Sequence, residues 1–152
     1  MIVVSDTTAV TTLLKAGMDG SLQQLFGSVL VPQAVWDELR AFHPQLPNFV
    51  LLRPIRGGGG LLPETVSLGR GEAEAITLAK EISADLLLTD DLKARAVSRG
   101  LNQKCAGFLG VLLIAKQRGS LSSVQDAIAL LETRGGLYLS GCCQSRSIES
   151  GG

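Results

Sequence analysis

The stretch LGRGEAEAITLAKEISADLLLTDDLKARAV, residues 68–97, decides the fold. It predicts a helix over 71–83, a strand over 86–89 on the apolar run Leu86-Leu87-Leu88-Thr89, and a second helix over 91–99 that Gly100 ends. The same alternation extends in both directions. Upstream, residues 1–5 are apolar without polar alternation, and β-branched Val3 and Val4 suit a strand buried on both faces. Asp6 ends that run. Ala9, Val10, Leu13 and Leu14 then recur at helical spacing over 7–16, and Gly17 supplies a stop. A short helix over 21–26 leads to a strand over 29–31. Pro32 opens a further helix to residue 42, because its missing N–H would be unpaired in a first turn anyway. Residues 51–55 form a minor strand and 57–60 a glycine loop. Downstream, a short strand over 103–105 precedes helices over 109–117 and 123–133. No internal repeat is visible.

Strands alternating with helices imply an α/β fold with a central, mainly parallel sheet between two helical layers. A chain of 152 residues with 45% hydrophobic content suits one domain, expected over 1–140. Residues 141–152, GCCQSRSIESGG, lack apolar spacing and read as a small polar tail open to disorder. The glycine run is not a phosphate-binding loop, since Leu61-Leu62-Pro63 follows it where Lys-Ser or Lys-Thr would be needed. Cys105, Cys142 and Cys143 form no CxxC pair and have no histidine at zinc-ligand spacing. The opening apolar run is too short for a signal peptide, and no stretch reaches the length of a membrane span. A reducing, cytoplasmic setting without membrane contact is the default expectation.

In a parallel sheet, ligands bind beyond the carboxyl ends of the strands, which is where Asp6 and the pair Asp90-Asp91 fall. Two helical carboxylates, Glu38 in VPQAVWDELR and Glu72 in GRGEAEAITLAK, complete a set of hard oxygen donors. Such a set suggests Mg²⁺ or Mn²⁺ rather than zinc. Each acid also has a local explanation. Asp6 and Asp90 suit helix caps, Glu72 and Glu74 suit the positive end of a helix, and Glu38 suits a surface ion pair, although Val35, Trp36 and Leu39 on the same helix place it near the buried edge. Those explanations leave the joint placement unaccounted for. Gathered carboxylates raise one another's pKa values and destabilise a fold near neutral pH, a conflict that a divalent cation removes. The cation would also activate water for in-line attack on a phosphodiester, so no side-chain nucleophile is required. The lone histidine, His43, lies beside Pro44 in a loop and reads as structural. Fourteen Lys and Arg balance fourteen Asp and Glu, so a nucleic-acid partner must be held locally. No acidic residue falls between Asp91 and Asp126, whereas Lys93, Arg95, Arg99, Lys104, Lys116 and Arg118 all do.

The order SDTT, VPQAVWDEL, LGRGEAEAITLAKE, LLLTDDLKARAV and GFLGVLLIAKQRG resembles PIN-domain proteins, in particular the small prokaryotic branch similar to VapC toxins, over 1–140. The resemblance implies a metal-dependent endoribonuclease. Carried over by position, it makes Asp6, Glu38, Glu72 and Asp91 the catalytic acids and adds Asp90 as a further metal ligand. Thr7 or Thr8, and Thr89, become supporting hydroxyls. Alignment on Thr89 favours Asp91 for the fourth acid, whereas counting 18 residues from Glu72 favours Asp90; Asp91 is taken first, with Asp90 close by. Glu72 stands where many relatives carry Asp, and Glu74 should point elsewhere. The implied partners are an RNA substrate, a small cognate antitoxin and a second copy in a homodimer. The alternative is a catalytically weak or inactive PIN-like module that binds RNA or protein through the cationic 93–118 region. A haloacid-dehalogenase phosphatase does not fit, because Thr8 stands where its DxDx[TV] pattern needs a second Asp.

Overall fold

The computed structural model describes residues 1–57 and 60–119. The chain runs β1 (Val3–Ser5), α1 (Thr7–Lys15), α2 (Asp19–Phe26), β2 (Val29–Val31), α3 (Gln33–Phe42), β3 (Val50–Leu52), a 3-10 turn (Pro63–Thr65), α4 (Arg70–Glu81), β4 (Leu86–Leu88), α5 (Leu92–Gly100), β5 (Cys105–Ala106) and α6 (Phe108–Gln117). The strands form one parallel sheet in the order β3-β2-β1-β4-β5. Val4 lies opposite Leu30 on one side and Leu87 on the other, and Ser5 lies opposite Leu88.

Alternation along each strand divides the core into two. Val3, Val29, Val31, Val50, Leu86 and Leu88 point to the face covered by α1, α2, α3 and α6, where Leu13, Leu22, Leu39, Phe108 and Leu112 pack on them. Val4 and Leu87 point to the other face and meet Ile76, Leu78 and Ala79 of α4 and Ala94 of α5. The result is the three-layer α/β/α arrangement that the alternation implied. From β1 the sheet grows one way through β2 and β3, and from β4 it grows the other way to β5. Thus α1 leaves β1 toward one face and α5 leaves β4 toward the other, which opens a crevice at the carboxyl ends of the two central strands.

Element boundaries differ from the sequence reading for physical reasons. The first strand loses Met1 and Ile2, which are 62% and 42% exposed, and Pro32 sits in an extended conformation as the cap before α3 instead of in its first turn. Thr89 lies one residue past β4, and β5 occupies Cys105–Ala106, later than the expected 103–105. The turn Pro63–Thr65 carried no periodic signal because it is a single turn. The expected helix over 123–133, the tail 141–152 and residues 58–59 of the glycine loop lie outside the described residues. Among the described residues, no helix is long and apolar enough to cross a membrane.

One long-range contact joins the helical layers. Pro32 offers no side-chain cap to α3, and Glu74 on α4 supplies it instead: its Oε1 accepts the Ala34 N–H at 3.0 Å, while its Oε2 accepts from Arg70 Nε at 2.9 Å. Glu74 therefore does point elsewhere, into a buried structural role. Glu74→Ala should cost about 1–2 kcal/mol in chemical denaturation, the usual cost of losing a helix cap. It should leave divalent-cation affinity unchanged, because the lost bonds run to Ala34 and Arg70 and to none of the candidate ligands.

Candidate functional site

Asp6 occupies the crevice between β1 and β4 and is 2% exposed. Its backbone N–H donates to Leu88 O at 3.1 Å, continuing the β1–β4 ladder. Its carboxylate then takes two donors from different elements. Oδ1 accepts the Ala9 N–H at 2.8 Å as the cap of α1, and Oδ2 accepts from Thr89 Oγ1 at 2.6 Å. The Thr89 hydroxyl also accepts the Asp91 N–H at 3.2 Å, so one buried threonine couples the first acid to the Asp90-Asp91 turn. Burial pushes the Asp6 carboxyl up to about 6, against the lowering effect of Thr89 and Ala9; the charges of Glu72 and Asp90 push the same way as burial.

The other acids stand around Asp6 at the rim. Glu38 is exposed rather than at the buried edge its helix neighbours suggested, since Val35 and Leu39 take the inward positions of α3. Its Oε1 nevertheless lies against Gly71 of α4 and faces the same small space as Thr7 Oγ1, which is buried and has no hydrogen-bond partner. Thr8 is exposed. Glu72, in the first turn of α4, folds back over Gly69. Asp90 is exposed, and its two oxygens lie 2.9 and 3.0 Å from the Phe108 N–H at the start of α6. Asp91 caps α5, its Oδ1 accepting the Ala94 N–H at 2.8 Å. Of the pair, Asp90 is the one whose charge bears on Asp6.

The donors are all hard oxygens, and Thr7 offers a buried hydroxyl; in chemistry this set suits a hard divalent cation. The cage is open, however. Among the described residues, no three His, Cys, Asp or Glu side chains are gathered closely enough to hold an ion as they stand. Asp90 and Asp91 are each bonded to a helix N-terminus, and Glu72 folds back over Gly69.

The cations divide. Arg95 reaches Gly107 beside Asp90, and with Arg99 and Lys104 it lines an open groove of about 810 Å³ along β5, the outermost strand on that side among the described residues. Lys93 is exposed on α5 outside that lining, and Lys116 and Arg118 lie at the far end of α6.

The sign of the Asp6 shift sets a pH dependence. Its carboxyl binds a proton in the folded chain up to about pH 6 but only near 3.8 when unfolded, so the contribution of this group to stability is full below 3.8 and is lost as pH rises through 6. The loss amounts to about 3 kcal/mol. Asp6→Asn should therefore raise the apo-protein melting temperature at pH 8 and have little effect at pH 4, as read by differential scanning calorimetry. In the wild type, stabilisation by added Mn²⁺ should grow as pH rises through 6.

No curated protein sequence matches this chain. In fold it is similar to a PilT N-terminus domain protein from the hyperthermophilic archaeon Sulfolobus solfataricus P2, with a TM-score of 0.58 and 16% identity over 76% of this chain and 93% of that one. A family model described as DUF3368, a PIN domain, matches residues 2–150. PIN domains are typically nucleases that bind divalent metals and nucleic acid. With that match over nearly its whole length, and a parallel sheet between helices, the chain belongs to the PIN-domain family.

Proposed function

We propose that this PIN domain is a Mg²⁺- or Mn²⁺-dependent endoribonuclease that hydrolyses RNA phosphodiesters with a water nucleophile. The observation that carries the reading is Asp6: a carboxyl buried at the sheet's central crevice, oriented by Thr89 and the Ala9 N–H, and facing the charges of Glu72 and Asp90. Asp6, Glu38, Glu72 and Asp90 would hold the ion, with Asp91 as the alternative fourth ligand through the oxygen that does not cap α5. Asp90 is preferred because its charge reaches Asp6. Bound metal supplies Lewis acidity, lowering the pKa of a water molecule and offsetting charge on the scissile phosphate. The chain's own part is to orient its acids. Thr89 fixes one Asp6 oxygen, Thr7 has a free hydroxyl beside Glu38, and Arg95, next to Asp90, can meet a phosphate entering along the rim.

The order of the five sequence motifs supports a place in the VapC-like branch, and with it a small antitoxin, a homodimer and a cytoplasmic setting. A panel of structured and unstructured RNAs, incubated with Mn²⁺, with Mg²⁺ and with EDTA, tests the activity. Cleavage should require the metal and should fall at least about 100-fold in Asp6→Asn. Cleavage that survives both EDTA and the substitution would sink the proposal. RNA binding without turnover under every metal condition would instead make the chain a binding module.

A further inference from the structure

We propose that the groove along β5 carries one single strand of RNA away from the acidic crevice, with Arg95, Arg99 and Lys104 each holding a backbone phosphate. The inference rests on the reading of RNA as the substrate, and it names the form of RNA that the site receives.

The cations stand in sequence along the groove. Arg95 reaches Gly107 beside Asp90, so the groove begins at the crevice. From its cap at Asp91, α5 runs away from the carboxyl edge of the sheet, and Arg99 stands one helical turn beyond Arg95, about 6 Å along the axis. Lys104 follows, just before the amino end of β5. The three form a single row that leads from Asp90 toward the opposite edge of the sheet.

Their charges are unpaired. None of the three side chains makes a hydrogen bond or an ion pair among the described residues, and no acidic residue lines the groove. Cations elsewhere are engaged: Arg70 pairs with Glu74, and Lys80 donates to Leu101 O. A concave row of unpaired cations that opens onto a phosphodiester-cleaving site is complementary to the polyanion cleaved there.

A single row also selects a single strand. A duplex presents two rows of phosphates and keeps its base faces stacked inside, so this groove would meet only half of it. The rest of the lining is apolar or amide, with Leu86, Cys105, Ala106 and Ile114 beside the free carboxamide of Asn102. Such a surface suits the unstacked bases of a single strand. It holds no aromatic ring, so the bases find no stacking platform and the phosphates supply most of the affinity. Binding should therefore depend steeply on salt and little on sequence.

The test is fluorescence anisotropy of a labelled, mixed-sequence single-stranded RNA with the 152-residue chain, in EDTA so that no turnover intervenes, over a series of KCl concentrations. Circular dichroism confirms that each variant folds. Arg95→Ala, Arg99→Ala and Lys104→Ala should each weaken binding about fivefold at about 0.1 M KCl and lower the slope of log K against log [KCl] by about 0.7, the share of one phosphate on a single strand. Lys15→Ala, which removes an exposed cation from the end of α1, should change neither. The same RNA annealed to its complement should bind more weakly and respond less to the three substitutions. Undiminished binding in the three variants, an equal loss in Lys15→Ala, or a duplex bound as tightly as the single strand would overturn the proposal. So would a wild-type chain that binds no RNA, including one that binds an acidic peptide such as polyglutamate in its place. Because the readout needs neither metal nor cleavage, it separates the groove from the nuclease reading. A chain that binds RNA through this row but cleaves nothing loses the activity alone, and one that cleaves RNA with undiminished affinity in all three variants loses the groove alone.

Discussion

The hydrogen bond from Thr89 to Asp6, 2.6 Å across the junction of the two central strands, is the contact on which the site depends. It exists because β1 and β4 pair in parallel with Ser5 opposite Leu88, so that the residues just past each strand end face one another. That register is in turn held by the core. A slip of one residue would exchange the two faces of β4, turning Leu87 toward the α1 and α6 layer and Leu88 toward α4. The apolar packing of three-residue strands thus determines where a buried carboxyl meets its hydroxyl donor.

Acids accumulate at this edge because helices begin there. Asp6 caps α1, Asp91 caps α5, Asp90 meets the first N–H of α6, Glu74 caps α3 from α4, and Glu72 lies in the first turn of α4. Five helices point their N-termini, the positive ends of their dipoles, at one side of the sheet. Those ends offset part of the repulsion among the carboxylates, and the rim acids keep contact with solvent. Asp6 is the exception, because burial removes the water that would otherwise stabilise its charge. The same capping bonds turn Asp90 and Asp91 to separate helix N-termini.

Much of this was legible in the residues. Strand and helix alternation, the three layers, and the placement of Asp6 and the Asp90-Asp91 pair at strand ends all follow from periodicity, and periodicity is a local property of the chain. The hydrogen-bond partners of residues 90 and 91 were not. Spacing from Glu72 and alignment on Thr89 pointed to different members of the pair, and the two are separated only by which neighbour takes each carboxylate. Ala94, three residues along the same helix, takes Asp91; Phe108, eighteen residues away, takes Asp90. Glu38 illustrates the same limit, since its helix neighbours placed it near the buried edge while its true surroundings are set by Gly71 and Thr7 from two other elements.

By itself, then, the amino-acid sequence determined which elements form, that they stack as helix, sheet and helix, and that acids collect at the carboxyl edge, because each of these rests on hydrophobic period and on residues close together in the chain. Only the tertiary structure decided how the acids divide their work. Partners such as Thr89 for Asp6, Gly71 for Glu38, Gly107 for Asp90 and Ala34 for Glu74 come from segments brought together by packing. Hydrogen bonds and excluded volume act over a few ångströms of space, and no one-dimensional pattern encodes those distances.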